Sequence, residues 1–406
     1  MPTLPGISER PNDLDLQQES LRLLDCARRS VVDHSCWWLD DNLEPIAEFG
    51  KQLWITTRMA HVLALGDNDA SRHAEHSADT ALASLSTDFY DATHGGWFPR
   101  RNSDGSTEPS KQMYGHAFVV LAAATGVVTG RAGTSSLLRQ AVSVVNEYFW
   151  DEQEGALRES WNADWSHCEP YRGANANMHG VEAFIAAADA TGNDLWIERA
   201  LRISQRIVDH ARAANWRVPE HFDARWHPDL HYNDEQPRHQ FRPPGATPGH
   251  GCEWARLLVQ LWARDNSQQW ALDAARELFQ RAMADGWDEE RGGLCYTTTF
   301  NGEVLVADRF HWVHCEAVLA ANFLARATAD PSFARWESRI WGYMWPRFPD
   351  RVRGGWHHEL DVVGQPAEQT WRGKPDVYHA YQACLAPQLQ LDRSVAASVV
   401  AWPKAT

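Results

Sequence analysis

Six punctuation marks interrupt helix-forming sequence at nearly even spacing, and no other feature of this chain limits its fold so tightly. Each combines aromatic and acidic residues with glycine or a polar turn. They read CWWLDDN around Trp38, DATHGGWFPRRNSDG around Trp97 and WDEQEGALRESW around Leu157. The remaining three are VPEHFDARW around Phe222, WDEERGGLCYTTTFNG around Leu294 and RVRGGWHHELDVVG around Trp356. The gaps between these positions are 59, 60, 65, 72 and 62 residues. Self-similarity at a fixed period marks stacked or closed copies of one supersecondary unit. Each interval has room for two helices of roughly 15 to 20 residues plus connections, so the unit is a helical hairpin. Six of them predict an all-α (α/α)6 barrel with short β-hairpin-like loops at its rim; an open solenoid is the competitor. The even repeat and the lack of a Pro/Gly/Ser-rich linker predict a single domain over residues 1–406.

After each mark comes a segment that starts polar and turns apolar, for example PSKQMYGHAFVVLAAATG and GANANMHGVEAFIAAADATG. Such segments suit burial on most faces and predict inner-ring helices. The intervening segments, such as WIERALRISQRIVDHARAA, are amphipathic and predict an outer ring. In a closed ring all six inner N-termini face one rim, and their odd polar residues converge there. Those residues are Arg58, then Tyr114 and His116, then Asn177 and His179, then His250 and Glu253. The fifth helix adds Trp312, His314 and Glu316, and the sixth adds Asp376 and His379. Helix N-termini also favour an anionic intermediate.

His250 and Glu253 stand at i and i+3, so the carboxylate is expected to fix the imidazole tautomer. Two histidines facing a ligand suit proton transfer near neutral pH, their unperturbed pKa being about 6.5. Arg58 and Arg242 are candidates to neutralise charge developing on a substrate oxygen. This equipment fits removal of a proton next to a carbonyl.

Composition narrows the competitors. A net charge of −16 argues against nucleic acid and anionic membranes as partners. No run of 18 apolar residues occurs, and MPTLPGISERPNDLD has no apolar signal core. Seven cysteines without a CxxC predict a reduced, cytoplasmic chain. The 21 tryptophans fit a sugar cleft, although most are expected to fill gaps between helices. HGCE and HWVHCE lack the HExxH spacing, so no metal is expected. A glycoside hydrolase would need two carboxylates, for which Glu220, Glu253, Glu316 and Asp376 are candidates. A non-catalytic sugar-binding protein is the reading from a different class.

The motifs LWITTRMAHV, KQMYGHAF, ANANMHGVEAF, EHFD, FRPPGATPGHGCEWARL and KPDVYHAYQACL closely resemble the N-acylglucosamine 2-epimerase superfamily, from about residue 15 to about residue 390. The nearest branch is that of the aldose–ketose isomerases acting on D-mannose or sulfoquinovose. That resemblance implies an (α/α)6 barrel and His250 and His379 as an acid/base pair. It further implies Arg58, His179, Arg242, Glu253 and Glu316 as site residues. The implied chemistry uses no cofactor: ring opening, proton removal from C2, a cis-enediol(ate) and proton return to C1. We expect His379 to act on carbon and His250 on oxygen. The expected substrates are monosaccharides, D-mannose and D-fructose with D-lyxose and D-xylulose, and the expected assembly is a monomer or small homo-oligomer. Sulfoquinovose isomerase and a sugar 2-epimerase of N-acylglucosamine or cellobiose type are the alternatives. A sulfonated sugar would call for an extra cation, from Arg172, Arg238 or Lys374.

Overall fold

The computed structural model describes residues 10–66 and 74–402. The reading of a leaderless N-terminus rests partly on residues 1–9, outside this range. Among the described residues the chain is mostly helical, and no helix is long and apolar enough to cross a membrane. The helices are α1 (Asp13–Ser30), α2 (Leu53–Gly66), α3 (Ala74–Thr87), α4 (Met113–Val128) and α5 (Thr134–Val144). They continue as α6 (Ala174–Thr191), α7 (Leu195–Ala213), α8 (Pro248–Arg264) and α9 (Gln269–Gly286). The last are α10 (His311–Thr328), α11 (Pro331–Met344), α12 (Tyr378–Cys384) and α13 (Val395–Ala401).

Burial separates two kinds of helix. In α2 every residue from Leu53 to Leu65 is buried. By contrast α7 buries only a stripe, with Trp196, Ala200, Ile203 and Ile207 on one face and its arginines outside. The even-numbered helices pack in succession, α2 on α4, α4 on α6, α6 on α8, α8 on α10 and α10 on α12; α12 in turn packs on α2. Each of the first five packs chiefly on the helix that follows it, α3, α5, α7, α9 and α11 in order, while α1 packs against both α2 and α12.

Backbone links between sectors follow the same sequence. A residue shortly before each inner helix pairs with the hairpin of the next sector: Lys51 with Arg101, Lys111 with Trp161, Arg172 with Phe222. The series continues as Ala246 with Thr298, Arg309 with Leu360 and Lys374 with Leu39. The hairpins thus run around the rim as a chain of antiparallel pairs.

Polar side chains fix this rim to the helices beneath it. The fourth residue of an inner helix reaches back to the hairpin before it. In α4, His116 Nδ1 meets the Gln112 carbonyl at 2.7 Å while Nε2 accepts the Trp97 N–H at 3.1 Å. In α10, His314 repeats the arrangement, accepting the Leu294 N–H at 2.9 Å. In α6, Asn177 accepts the Leu157 N–H at 2.8 Å and donates to the Leu157 and Gly173 carbonyls. In α2, Thr56 donates to the Cys36 carbonyl. His116, Asn177 and His314 were expected at the pocket, and that expectation is corrected: their hydrogen bonds are spent on the frame. At the opposite end, Gln260 Nε2 donates to the Arg393 carbonyl and the Ser394 N–H donates to Asp189, so the C-terminal segment covers the far side.

Candidate active site

A cleft of about 660 Å³ opens on the rim and narrows beyond Phe241 to a pocket of about 50 Å³. The Phe241 ring packs edge-on against Trp54, Tyr114 and Trp371, at 5.8, 5.5 and 5.6 Å between centroids. It belongs to the connection of residues 223–245 between the Phe222 hairpin and α8. Early turns of all six inner helices reach the inner pocket, through Arg58, Tyr114, His179, His250, Trp312 and His379.

Two histidines face this space, each oriented by a different buried glutamate. His250 Nδ1 lies 2.9 Å from Glu220 Oε1, and His379 Nδ1 lies 2.8 Å from Glu316 Oε1. Each carboxylate holds the proton on Nδ1 and directs Nε2 into the pocket. Among the described residues no protein group bonds to either Nε2. The Trp312 ring sits between them, 5.1 Å from His250 and 5.9 Å from His379. The expected His250–Glu253 pair is therefore corrected. The partner comes from the Phe222 hairpin, whose EHFD segment carries Glu220 to the base of α8.

Burial, reinforced by the positive charge of Arg58, pushes the His379 imidazole well below its usual range. At neutral pH this ring is an unprotonated base. Burial also lowers His179, to about 4. The Arg58 guanidinium donates to Asp376 Oδ2 at 3.1 Å and Tyr114 Oη at 2.8 Å, and lies 4.5 Å from the Phe118 ring. Asp376 also accepts the Tyr378 N–H, so it anchors Arg58 and the start of α12 instead of lining the pocket.

Beneath the pocket lies a network that the sequence reading missed. Arg256 Nε donates to Glu316 Oε2 at 2.8 Å, and Nη2 approaches Glu182 and Glu253 at 3.4 and 3.6 Å. Glu182 also accepts from the Tyr378 hydroxyl. A charged residue in the apolar turns of an inner helix was the available signal for Arg256.

Two groups could converge on a cation, His179 with Glu182 and Glu253, and Glu253 with Glu316 and His379. Each group has one carboxylate already engaged: Glu316 accepts from Arg256 and His379, and Glu182 accepts from Tyr378. The Arg256 guanidinium already supplies positive charge among the carboxylates. The arrangement suits proton movement better than ion coordination.

A family model described as N-acylglucosamine 2-epimerase (GlcNAc 2-epimerase) matches residues 35–383. The chain belongs to this family. A D-mannose isomerase from Thermobifida fusca is 44% identical over 390 residues, covering 95% of this chain and 96% of its own. Another D-mannose isomerase, from Pseudomonas cannabina pv. alisalensis, is 42% identical, with 95% and 94% covered. A crystal structure of D-mannose isomerase superposes with a TM-score of 0.87 at 27% identity, covering 93% of this chain and 99% of that one.

Within this N-acylglucosamine 2-epimerase fold, Arg242 stays in the outer cleft. It forms a forked pair with Glu169 at 2.8 and 3.0 Å and lies 4.1 Å from the Tyr171 ring. It was expected to neutralise charge developing on a substrate oxygen; here it lines the outer cleft, its fork held by Glu169. Lys374, Arg172 and Arg238 also lie outside the inner pocket. Lys374 is buried against Asp350 at 2.7 Å, Arg172 donates to the Glu169 and Tyr171 carbonyls, and Arg238 pairs with Asp308. Gln240, Pro243, Tyr296 and Trp371 line the pocket from rim segments that carry no helix-start signal.

Proposed function

We propose that this chain is an aldose–ketose isomerase that interconverts D-mannose and D-fructose, and D-lyxose and D-xylulose as the shorter pair. The observation that carries the reading is the pair of histidines, each oriented by its own buried glutamate, with both Nε2 atoms open to one pocket. His250 moves a proton between the sugar oxygens, first opening the ring. His379 Nε2 then takes the proton from C2 as the C2–H electron pair forms the C1–C2 double bond of a cis-enediol(ate). The same imidazolium returns the proton to C1, and the carbonyl now lies at C2. The helix N-termini and Arg58 stabilise the oxygen charge in between. These residues supply every proton transfer, so we propose a reaction without a cofactor.

The isomerase reading over a 2-epimerase is supported by the relatives named D-mannose isomerase at 42–44% identity. A neutral sugar over sulfoquinovose is supported by the protein partners that engage the three candidate cations. A hydrolase is disfavoured because Glu220 and Glu316, candidate carboxylates for that chemistry, each hold a histidine. We further propose an (α/α)6 barrel, in keeping with the packing of α12 on α2, and one domain over the whole chain. A cytoplasmic monomer or small homo-oligomer, without nucleic-acid or membrane partners, completes the proposal.

The test is proton NMR of the purified protein with D-mannose in D2O. Fructose as first product, by internal transfer or with deuterium at C1, supports the proposal. Glucose as first product with deuterium at C2 replaces it with a 2-epimerase. No product from mannose, with turnover of a sulfonated or N-acylated sugar, moves the substrate.

A further inference from the structure

Three carboxylates, Glu182, Glu253 and Glu316, surround the single guanidinium of Arg256, all of them buried. The other nearby guanidinium, Arg58, is committed to Asp376 and Tyr114. One guanidinium cannot compensate three buried negative charges, and an uncompensated buried carboxylate takes up a proton. Hydrogen bonding decides which one. Glu316 accepts on both oxygens, from Arg256 Nε and from His379 Nδ1. Glu182 accepts from Tyr378 and Arg256. Glu253 receives no hydrogen bond from any described residue. Its Oε1 is buried without a hydrogen bond, 3.6 Å from Arg256 Nη2 and 3.8 Å from His179 Nδ1; that nitrogen is also buried without a hydrogen bond and lies 3.5 Å from Glu182 Oε2.

We propose that Glu253 is a neutral carboxylic acid in the working protein and meets the sugar as a hydrogen-bond donor. The groups facing it are Glu182 and His179 on α6, Glu316 on α10, Arg256 on its own helix, Arg58 on α2, Tyr114 on α4, and Tyr378 and His379 on α12; the two carboxylates favour the neutral acid, and the two guanidiniums oppose it. Burial and the neighbouring Glu316 both push its carboxyl well above the usual range. A donor at this place can hydrogen-bond a sugar alkoxide or carbonyl oxygen without adding negative charge beside an enediolate. Only this last role rests on the isomerase reading; the protonation state is measured without turnover.

The test compares Glu253→Gln with wild type by thermal melting between pH 5 and pH 8. A carboxyl whose pKa is raised by folding contributes less stability as pH climbs above its unfolded value of about 4.3. Glutamine is neutral throughout, so E253Q is expected to melt higher than wild type at pH 8, with the gap narrowing toward pH 5. A variant that melts lower than wild type, by a margin growing or constant from pH 5 to pH 8, overturns the proposal. Infrared spectra of wild type carrying 13C-carboxyl glutamate, with E253Q subtracted, give a second reading on folded protein. A protonated-carboxyl band at pH 7 supports the assignment, and a carboxylate band alone overturns it.

Discussion

Glu316 joins His379 to Arg256: one carboxylate oxygen lies 2.8 Å from the imidazole Nδ1, and the other accepts the guanidinium Nε–H at 2.8 Å. Burial raises the Glu316 carboxyl and the guanidinium opposes that rise, favouring the ionised form; the glutamate keeps the imidazole in one tautomer, and Nε2 is left free for carbon chemistry. Arg256 does not line the inner pocket itself and so acts on it through its carboxylate partners.

Replacing Arg256 with glutamine is therefore expected to lower kcat on the order of 10²-fold with little change in KM, because Glu316 would take a proton and release His379. Removing one partner of a buried charge cluster also costs about 3–5 kcal/mol. Arg256→Lys keeps the charge but loses the fork, and should fall between. Steady-state kinetics with denaturant melts check this; an R256Q enzyme with wild-type kcat would sink the relay.

The two histidines should separate by assay. His379→Ala is expected to abolish C–H exchange, whereas His250→Ala retains slow exchange from open-chain sugar. General acid–base groups typically contribute 10²- to 10⁴-fold, and turnover should fall by that order in both variants. The measurement is loss of the C2 proton signal in D2O. Equal residual exchange in the two variants would reverse or erase the assigned roles.

The clamp histidines predict the opposite pattern. His116→Ala leaves the buried Trp97 N–H without an acceptor, which costs about 1–3 kcal/mol. Activity per folded molecule should remain, because His116 lies outside the inner pocket. Chemical denaturation paired with kcat measures both; a stable but inactive H116A protein would contradict a frame role.

Acid should unfold the protein early. Burial lowers His116, His314 and His358 to about 3 and His61 to about 4. Their folded values lie below the unfolded value of about 6.5, so the stability they contribute is present above that pH. It is lost as pH falls toward the folded values, at up to about 1.4 kcal/mol per pH unit for each ring. Melting temperature should drop between pH 6.5 and pH 4.5, less steeply in a His116→Gln, His314→Gln double variant. The proposed neutral Glu253 acts with the opposite sign, and E253Q should steepen the drop.

Much of the frame was legible because inner helices must be apolar nearly all round, and because paired glycines announce three of the hairpins. Gly96 shows why: its φ is +72°, and a Cβ there would meet Trp165 Cζ2 at 2.6 Å. The site was legible in its residue types but blurred in direction. Counting from the first residue of each inner helix, Arg58, Tyr114, His179, Glu253, Trp312 and His379 stand second or sixth, on one face of a 3.6-residue turn. His116, Asn177 and His314 stand fourth, about 200° from the second position, and point back at the hairpin. Grouping all early polar residues together mixed the two sets. Glu220 and Arg242 were harder, since loop geometry decides whether a residue 8 or 30 positions before His250 arrives beside it.

The rim pairs have a consequence for how such a molecule can change. Every hairpin is hydrogen-bonded to the strand that launches the inner helix of the preceding sector, as Trp161 is to Lys111 and Phe222 to Arg172. No loop belongs to one sector alone. A graft that swaps a single loop to alter substrate choice also re-aims the neighbour's helix start, and with it Tyr114 or His179. An exchange that respects these pairs moves each hairpin together with the strand residues it is bonded to.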